Sequence, residues 1–572
     1  MHYSRPRTSA IAGAWLFCFL APSAPKALMA RECESESSGV ANIALTISPD
    51  ATGVRASYQL DNDVSCLQLT ASGPEKRQSW KVTSANVVLS PDGNNIRFTA
   101  GRENHFEVDI GVGASDYQYD RNYTSLIRFG DGRAVAIYSE YLLPVRAAWR
   151  SQIRFSDGSA YKSTKRVVFS SDSPAYIVLG TPVAISHDGV RIVIDQALPQ
   201  WVRAAMLSET KRAAAILRRI GPATSERTFI LNYSGGELSQ NSSTYYGSVS
   251  GNQVRMALYG KAWATPSTDA LEQVQVLTLH EMFHTVNSDV QPGVQGDGLT
   301  SLLEGGAEAA AHVLQRQLAM ITANDFADVE DQALIKCLAL DGNTLSQKEM
   351  ADFRAAPYVC GQALQYFAIA VDDRHDYLGI WRRLLASASG HPYGWAEWLS
   401  SIRATSDRQK EALNALNDLV HSRTTLEVGM QRLERDGIVQ PLSQGETKSS
   451  SISAAMASRA MWYLLDQNCT GRRGFTTLQG ILILDAAPES CQSMKDGFHV
   501  VAIDGIKLDT GGLQAYASLM SQCGANGLID LTNESGDAIE VNCIASPPPP
   551  PMFYRLSEQS RASRSSSPRV EN

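Results

Sequence analysis

Beyond its first thirty residues the chain has no apolar run near the roughly 18 residues that a membrane-spanning helix requires, so no spanning helix is expected there. It has no C-x-x-C pair, so zinc ribbons and thioredoxin-type redox sites are not expected. A G-x-S-x-G elbow, a P-loop and a dinucleotide fingerprint are also missing, which removes the best-marked serine-hydrolase and nucleotide chemistries. No basic stripe interrupts a chain of net charge −8, so nucleic acid is not an expected partner. Histidine is scarce, with ten in 572 residues. At that frequency a chance H-E-x-x-H anywhere in the chain is about a one-in-a-hundred event.

That pattern is present, as His280-Glu281-Met282-Phe283-His284. It lies in Asp269–Asn287, which reads as a helix: Asp269 as N-cap with Glu272 three residues on, then Leu271, Val274 and Leu277 at helical spacing. One turn apart on one face, His280 and His284 can offer imidazole nitrogens to a single ion. Glu281 stands roughly 100° round the helix, placed to hydrogen-bond a water on that ion without ligating it. The plain alternative is an amphipathic core helix with two satisfied histidines. A third ligand weighs against it: Glu304, in Leu302-Leu303-Glu304-Gly305-Gly306-Ala307-Glu308 at the start of a second helix, completes the His-His-Glu set common in catalytic zinc sites. Ala307, Ala309, Ala310 and Ala311 allow the two helices a close approach. Glu308, one turn after Glu304, is either the acceptor for a ligating histidine's second N–H or a solvated helix face.

Arg5 and Arg7, the apolar run Ala10–Ala21 and a small-residue region ending at Ala30 make residues 1–30 a secretory signal peptide, cleaved near Ala30. The expected mature protein is exported, periplasmic or extracellular, without stable membrane insertion. Eight cysteines remain (Cys33, Cys66, Cys337, Cys360, Cys469, Cys491, Cys523 and Cys543), an even number that suits disulfides. Pairing each with its neighbour in sequence is the simplest arrangement.

A chain of this length holds roughly two to four domains. Short alternating runs from about Asn42 to Ile185, broken by Asp/Gly/Asn turns, imply an antiparallel β-sandwich over 31–195. A catalytic domain follows over 196–444: a helix at Trp201–Ile220, a strand-rich stretch, the motif helix and a helical body. Residues 445–469 are linker and helix, with the Ser-rich 445–453 as the linker. A small β-rich module occupies 470–545, and the Pro/Ser/Arg-rich 546–572 is expected to be disordered or extended.

Taken with Glu304-Gly305 and this three-part layout, the motif resembles that of the glycyl aminopeptidase family, gluzincin zinc metallopeptidases with a C-terminal PDZ domain. Asn287 matches the family's H-E-x-x-H-x-x-N run, Asp496–Gly505 resembles a strand region of its PDZ domain, and Pro357–Leu364 is similar to the P-Y-x-x-G-x-x-L segment of gluzincin aminopeptidases. The resemblance implies a multidomain α+β protein: an N-terminal β-sandwich, a thermolysin-like, mainly helical catalytic domain, and a PDZ-like domain. It further implies one Zn2+ on His280, His284 and Glu304, with Glu281 as general base and Tyr358 as hydrogen-bond donor to the oxyanion of a peptide or protein substrate. Tyr358 can equally be a buried tyrosine anchoring a helix start, and Asn287 a helix C-cap. The departures are Val286 where the family has Trp, a longer gap from His284 to Glu304, and no counterpart of the family's G-G-L-E-H run, which holds a free amino terminus. In its place stands Tyr245–Asn252, without an acidic residue. The reading from another class is a non-catalytic peptide-binding protein on a peptidase scaffold.

Overall fold

The computed structural model describes Cys33 and residues 43–49, 53–69, 77, 79–111, 126–142, 151–155, 167–169, 175–187, 190–220, 227–234, 244–250, 253–287, 298–352, 355–443, 445–470, 473–478, 481–486, 491, 493–495, 497–523 and 527–565. The expected signal peptide and Asp496 lie outside these residues. The chain divides into two compact units, Met1–Pro182 and Val183–Asn572.

Among the described residues the first unit is built of strands. Its largest sheet runs in the order Val167–Phe169, Ser151–Phe155, Ile43–Pro49, Gly53–Val64, Glu103–Gly111, Trp80–Val82. Alternation along Gly53–Val64 sends Val54, Ala56, Tyr58 and Leu60 inward, where Tyr58 stacks on Phe106 at 4.3 Å. Two further three-stranded sheets complete the unit. The expectation of a wholly antiparallel arrangement needs one correction, because Ile43–Pro49 pairs parallel with Ser151–Phe155.

The second unit opens with a five-stranded sheet of β1 (Val183–His187), β2 (Val190–Ile194), β3 (Arg227–Ser234), β4 (Thr244–Ser250) and β5 (Gln253–Tyr259), in the order β1-β2-β3-β5-β4. β1 and β2 were expected in the sandwich; β2 instead pairs parallel with β3, which places the boundary at 182/183. Between β2 and β3 runs α1 (Gln200–Leu217). After β5 the helices follow: α2 (Thr268–Asn287), α3 (Leu299–Gln317), α4 (Ala323–Ala339), α5 (Leu345–Ala351), α6 (Ala356–Val371), α7 (Tyr377–Ala388), α8 (Trp395–Ser400), α9 (Asp407–Val420) and α10 (Leu426–Arg435). β4, the edge strand, lies against α2.

A short strand, β6 (Val439–Pro441), leads to α11 (Ser450–Asn468), so the expected Ser-rich linker is a 3-10 turn at Glu446–Lys448 followed by the first turn of a helix, capped by the Ser449 hydroxyl on the Ile452 N–H. The C-terminal module has a three-stranded sheet of β7 (Arg473–Leu478), β8 (Ile481–Ala486) and β9 (His499–Val500). A four-stranded sheet combines β10 (Ala502–Ile503), β11 (Ile506–Lys507), β12 (Leu528–Thr532) and β13 (Ala538–Asn542), with α12 (Leu508–Gln522) packed on α11. Of the segment expected to be disordered or extended, the described part, as far as Ser565, folds back on the helical body. Its β14 (Tyr554–Leu556) pairs with β6, and Arg561 of the final helix, α13 (Glu558–Ser565), bonds Asp331 of α4. A proline run lacks backbone donors but does not stop the residues after it from pairing. The four disulfides join sequence neighbours as expected: Cys33–Cys66, Cys337–Cys360, Cys469–Cys491 and Cys523–Cys543. No helix among the described residues is long and apolar enough to cross a membrane.

Candidate metal centre

Helix α2 starts one residue before the sequence reading, and its cap is the Ser267 hydroxyl, which accepts from the Ala270 N–H at 3.1 Å; Asp269 lies in the first turn instead. Val274 and Leu277 are buried as the periodicity implies, whereas Leu271 is exposed. The C-terminal half of the helix is sunk in the core between the β4 edge and α3, so His280, Glu281 and His284 are all buried polar residues.

α3 begins at Gly298, in the left-handed region (φ 81°) and without a side-chain cap of its own. The cap comes from α5, where the Glu349 carboxylate accepts the Gly298 N–H at 3.0 Å and the Ser301 hydroxyl. α3 then crosses α6 with backbones in contact. A Cβ on Gly305 would stand 2.2 Å from the Gly361 carbonyl carbon, and one on Gly361 would stand 2.1 Å from the Ser301 oxygen. That crossing brings Glu304, the residue before Gly305, beside Tyr358, one turn before Gly361.

Three ligand-type atoms converge here. His280 Nε2 and His284 Nε2 are 3.0 Å apart, and Glu304 Oε2 lies 3.4 Å and 3.3 Å from them. Donors about 2.0–2.1 Å from a tetrahedral Zn2+ are themselves about 3.3 Å apart, so this spacing fits such an ion. The remaining atom of each imidazole is tied down. His280 Nδ1 meets Glu308 Oε2 at 2.9 Å, and His284 Nδ1 meets Asn287 Oδ1 at 3.0 Å. Both contacts hold the Nε2 atoms toward the common point. Asn287 also donates to the Leu303 carbonyl at 2.8 Å, joining the end of α2 to α3. His312 extends the chain of contacts, with Nε2 3.7 Å from Glu308 Oε1 and Nδ1 2.9 Å from Gln315 Oε1.

The charge balance also fits a cation. Glu281, buried, and Glu304 and Glu308, partly buried, bring three carboxylates to His280 and His284, with His312 touching Glu308 alone. Burial works to raise Glu304 and Glu308, yet His284 and His280 hold Glu304, and His280 and His312 hold Glu308, well below the usual carboxylate range. Burial works against a charged His280, but its bonds to Glu304 and Glu308 outweigh it and lift the imidazole well above its ordinary value. These groups attract positive charge strongly, and a divalent ion would supply it without shared protons.

Glu281 stands apart from this exchange. Its Oε2 is buried and has no hydrogen-bond partner among the described residues, and one of its carboxylate oxygens lies within 4.8 Å of the two histidines' ligand atoms. Burial raises its pKa against the pull of His280 and His284, leaving a desolvated and comparatively basic carboxylate. Its other oxygen presses on the β4 edge strand at Gly247, where a Cβ would fall 1.9 Å from Oε1. Sequence reasoning passed over Gly247; its only signal was a glycine inside a strand pattern, which often marks close approach of another group. The Tyr358 ring stacks on His280 at 5.8 Å. Tyr358 is 39% exposed, so it is not the buried anchor of a helix start; desolvation around its hydroxyl, with Glu304 and Glu281 close by, pushes that group well above the ordinary phenol value and keeps it protonated. Tyr245 of β4 is 45% exposed on the same side of the sheet edge; burial of its hydroxyl, with Glu308 near, raises its pKa too. Thus His280, Glu281, His284, Asn287, Glu304, Glu308 and Tyr358 occupy one site.

No protein-family model and no curated protein matches the sequence. Solved structures similar to it include an M1 zinc metallopeptidase from Deinococcus radiodurans (12% identity, TM-score 0.37, 67% of this chain and 94% of that one). Others are Legionella pneumophila aminopeptidase A in complex with aspartic acid (11%, 0.40, 67% and 49%) and native yeast LTA4 hydrolase (12%, 0.40, 75% and 72%). At such identities and TM-scores these likenesses carry no weight for function, which rests on the residues above.

Proposed function

We propose that the protein is an exported zinc metallopeptidase of the gluzincin type, hydrolysing peptide bonds in the site around His280, Glu281 and His284. The observation that carries the reading is the unpartnered, buried Glu281 Oε2 beside three convergent ligand atoms. His280, His284 and Glu304 would hold the ion, with Glu308 and Asn287 orienting the imidazoles. A zinc ion bound there supplies Lewis acidity toward a carbonyl and lowers the pKa of water. Glu281 takes the proton of the attacking water at Oε2 and later delivers it to the leaving amine. Tyr358 donates its hydroxyl hydrogen to the oxyanion that develops on the scissile carbonyl. The four disulfides support an oxidising, exported setting, and the β-rich C-terminal module is assigned as PDZ-like on the resemblance in its sequence. A peptide-library digest by the purified protein, read by mass spectrometry, tests the activity. Chelator-sensitive cleavage is expected, and an undigested library would favour a peptide-binding protein instead.

Selection for a free amino terminus is expected to be weak. β4 faces Glu281 and, like the whole stretch 241–259, carries no carboxylate to fix a cationic α-amine. As a sheet edge rich in Tyr, Ser and Gly, it offers backbone partners to an extended chain instead. Acetylating the amino terminus of a good peptide substrate is therefore expected to lower kcat/KM by less than about tenfold, roughly 1.4 kcal/mol. A fall of about a thousandfold would make the protein an aminopeptidase whose amine-binding group lies elsewhere.

A further inference from the structure

A cavity of about 770 Å³ opens where α4, the end of α5 and the start of α6 face α11 and the C-terminal module. Its volume is in the range of ligand-binding clefts. The floor is apolar, formed by Leu340, Val359, Trp462, Phe475 and Leu508, with the Trp462 and Phe475 rings 5.3 Å apart as an aromatic platform. Acidic groups outnumber basic ones around it: Asp341, Asp352, Asp466 and Asp509 against Lys336 and Arg459. Arg459 is already engaged, 3.1 Å from Asp341 and over the Tyr516 ring. The strand that brings Phe475, β7, pairs with β8 on one side, and no described strand covers its other edge. An apolar floor, a negative balance and an open strand edge together fit an extended polypeptide carrying apolar and cationic side chains.

The groove adjoins the metal centre through one turn of α6. Tyr358 stacks on His280, and Val359, the next residue, lines the groove. We infer that this groove is an exosite for a second stretch of the substrate chain, so that the protein acts on long, unfolded polypeptides rather than short oligopeptides. This rests on the peptidase reading above. A chain seated in the cleft crosses the N-terminal turn of α6 and lays its apolar side chains on Trp462 and Phe475, while the acidic rim favours its lysines and arginines.

Binding to the full-length Glu281→Gln protein tests the exosite apart from catalysis. The probe is a fluorescein-labelled peptide of about 15 residues, roughly 50 Å when extended, containing Leu, Phe and Lys, and followed by anisotropy. Two exposed lining positions allow substitution without disturbing the core: Ala454→Trp fills the groove, and Asp466→Lys reverses charge on its rim. Each is expected to raise Kd at least about fivefold, while a peptide of about five residues is unaffected. In the active protein the same changes should raise KM for the long peptide and leave kcat unchanged. The exosite is overturned if folded Ala454→Trp and Asp466→Lys proteins bind the long peptide within about twofold of the parent, or if the parent binds it no better than the short one. Should groove-dependent binding appear in a protein that cleaves nothing, the peptidase reading fails and the groove stands.

Discussion

Replacing Glu281 with Gln is expected to lower kcat/KM by about 10³-fold while leaving zinc bound. The two side chains have the same length and branching, so Gln fills the space between α2 and β4 without strain. The three convergent atoms belong to His280, His284 and Glu304, and none of their contacts involves Glu281. What disappears is the ability of the orphaned Oε2 to accept a proton, because an amide at that position is not a base at any working pH. Loss of turnover with metal retained separates the general base from a ligand, since removing a ligand would take both. Activity within about tenfold of the native protein would eliminate Glu281 as the base.

A second large effect is expected at Gly247, which forms no bond to the site and carries no functional group. β4 is held to β5 along its length, with Gly247 opposite Met256, and α2 is locked in the core. Neither backbone can retreat easily, so a new side chain at 247 must displace the Glu281 carboxylate that occupies its place. Gly247→Val is expected to lower kcat/KM about 10²-fold at unchanged zinc content, with Gly247→Ala intermediate. The double variant Gly247→Val/Glu281→Gln should be no worse than Glu281→Gln alone, because both act through one carboxylate. If Gly247→Val retains activity within about threefold, the close approach has no part in placing Glu281.

The contrast between these two residues shows how far the sequence could be read. Glu281 stands inside a five-residue pattern set by one helical turn, and His280 and His284 lie one above the other for the same local reason. Glu304 and Glu308 repeat that spacing on the next helix. Gly247 and Gly361 act by leaving room for groups from distant parts of the chain, a carboxylate in one case and a backbone in the other, and no local periodicity encodes a contact between β4 and α2 or between α3 and α6. Likewise, Leu271 reads as core by spacing but is exposed, because apolar spacing identifies a face without showing where along the helix the packing begins. The strands Val183–His187 and Val190–Ile194 look like more sandwich until their partner, over thirty residues on, is known. At the C-terminal end, composition hid structure: the Pro/Ser/Arg-rich stretch reads as disordered, yet Tyr554–Leu556 and Arg561 find partners on β6 and α4.

The central claim is that this constellation holds zinc, and metal content tests it most directly. Protein purified, incubated with zinc and passed through a desalting column should carry about one zinc per chain by native mass spectrometry, and His280→Ala and His284→Ala proteins that remain folded should carry less than about a tenth of that. A native protein that retains no stoichiometric zinc, or a His280→Ala protein that retains it in full, would contradict the claim.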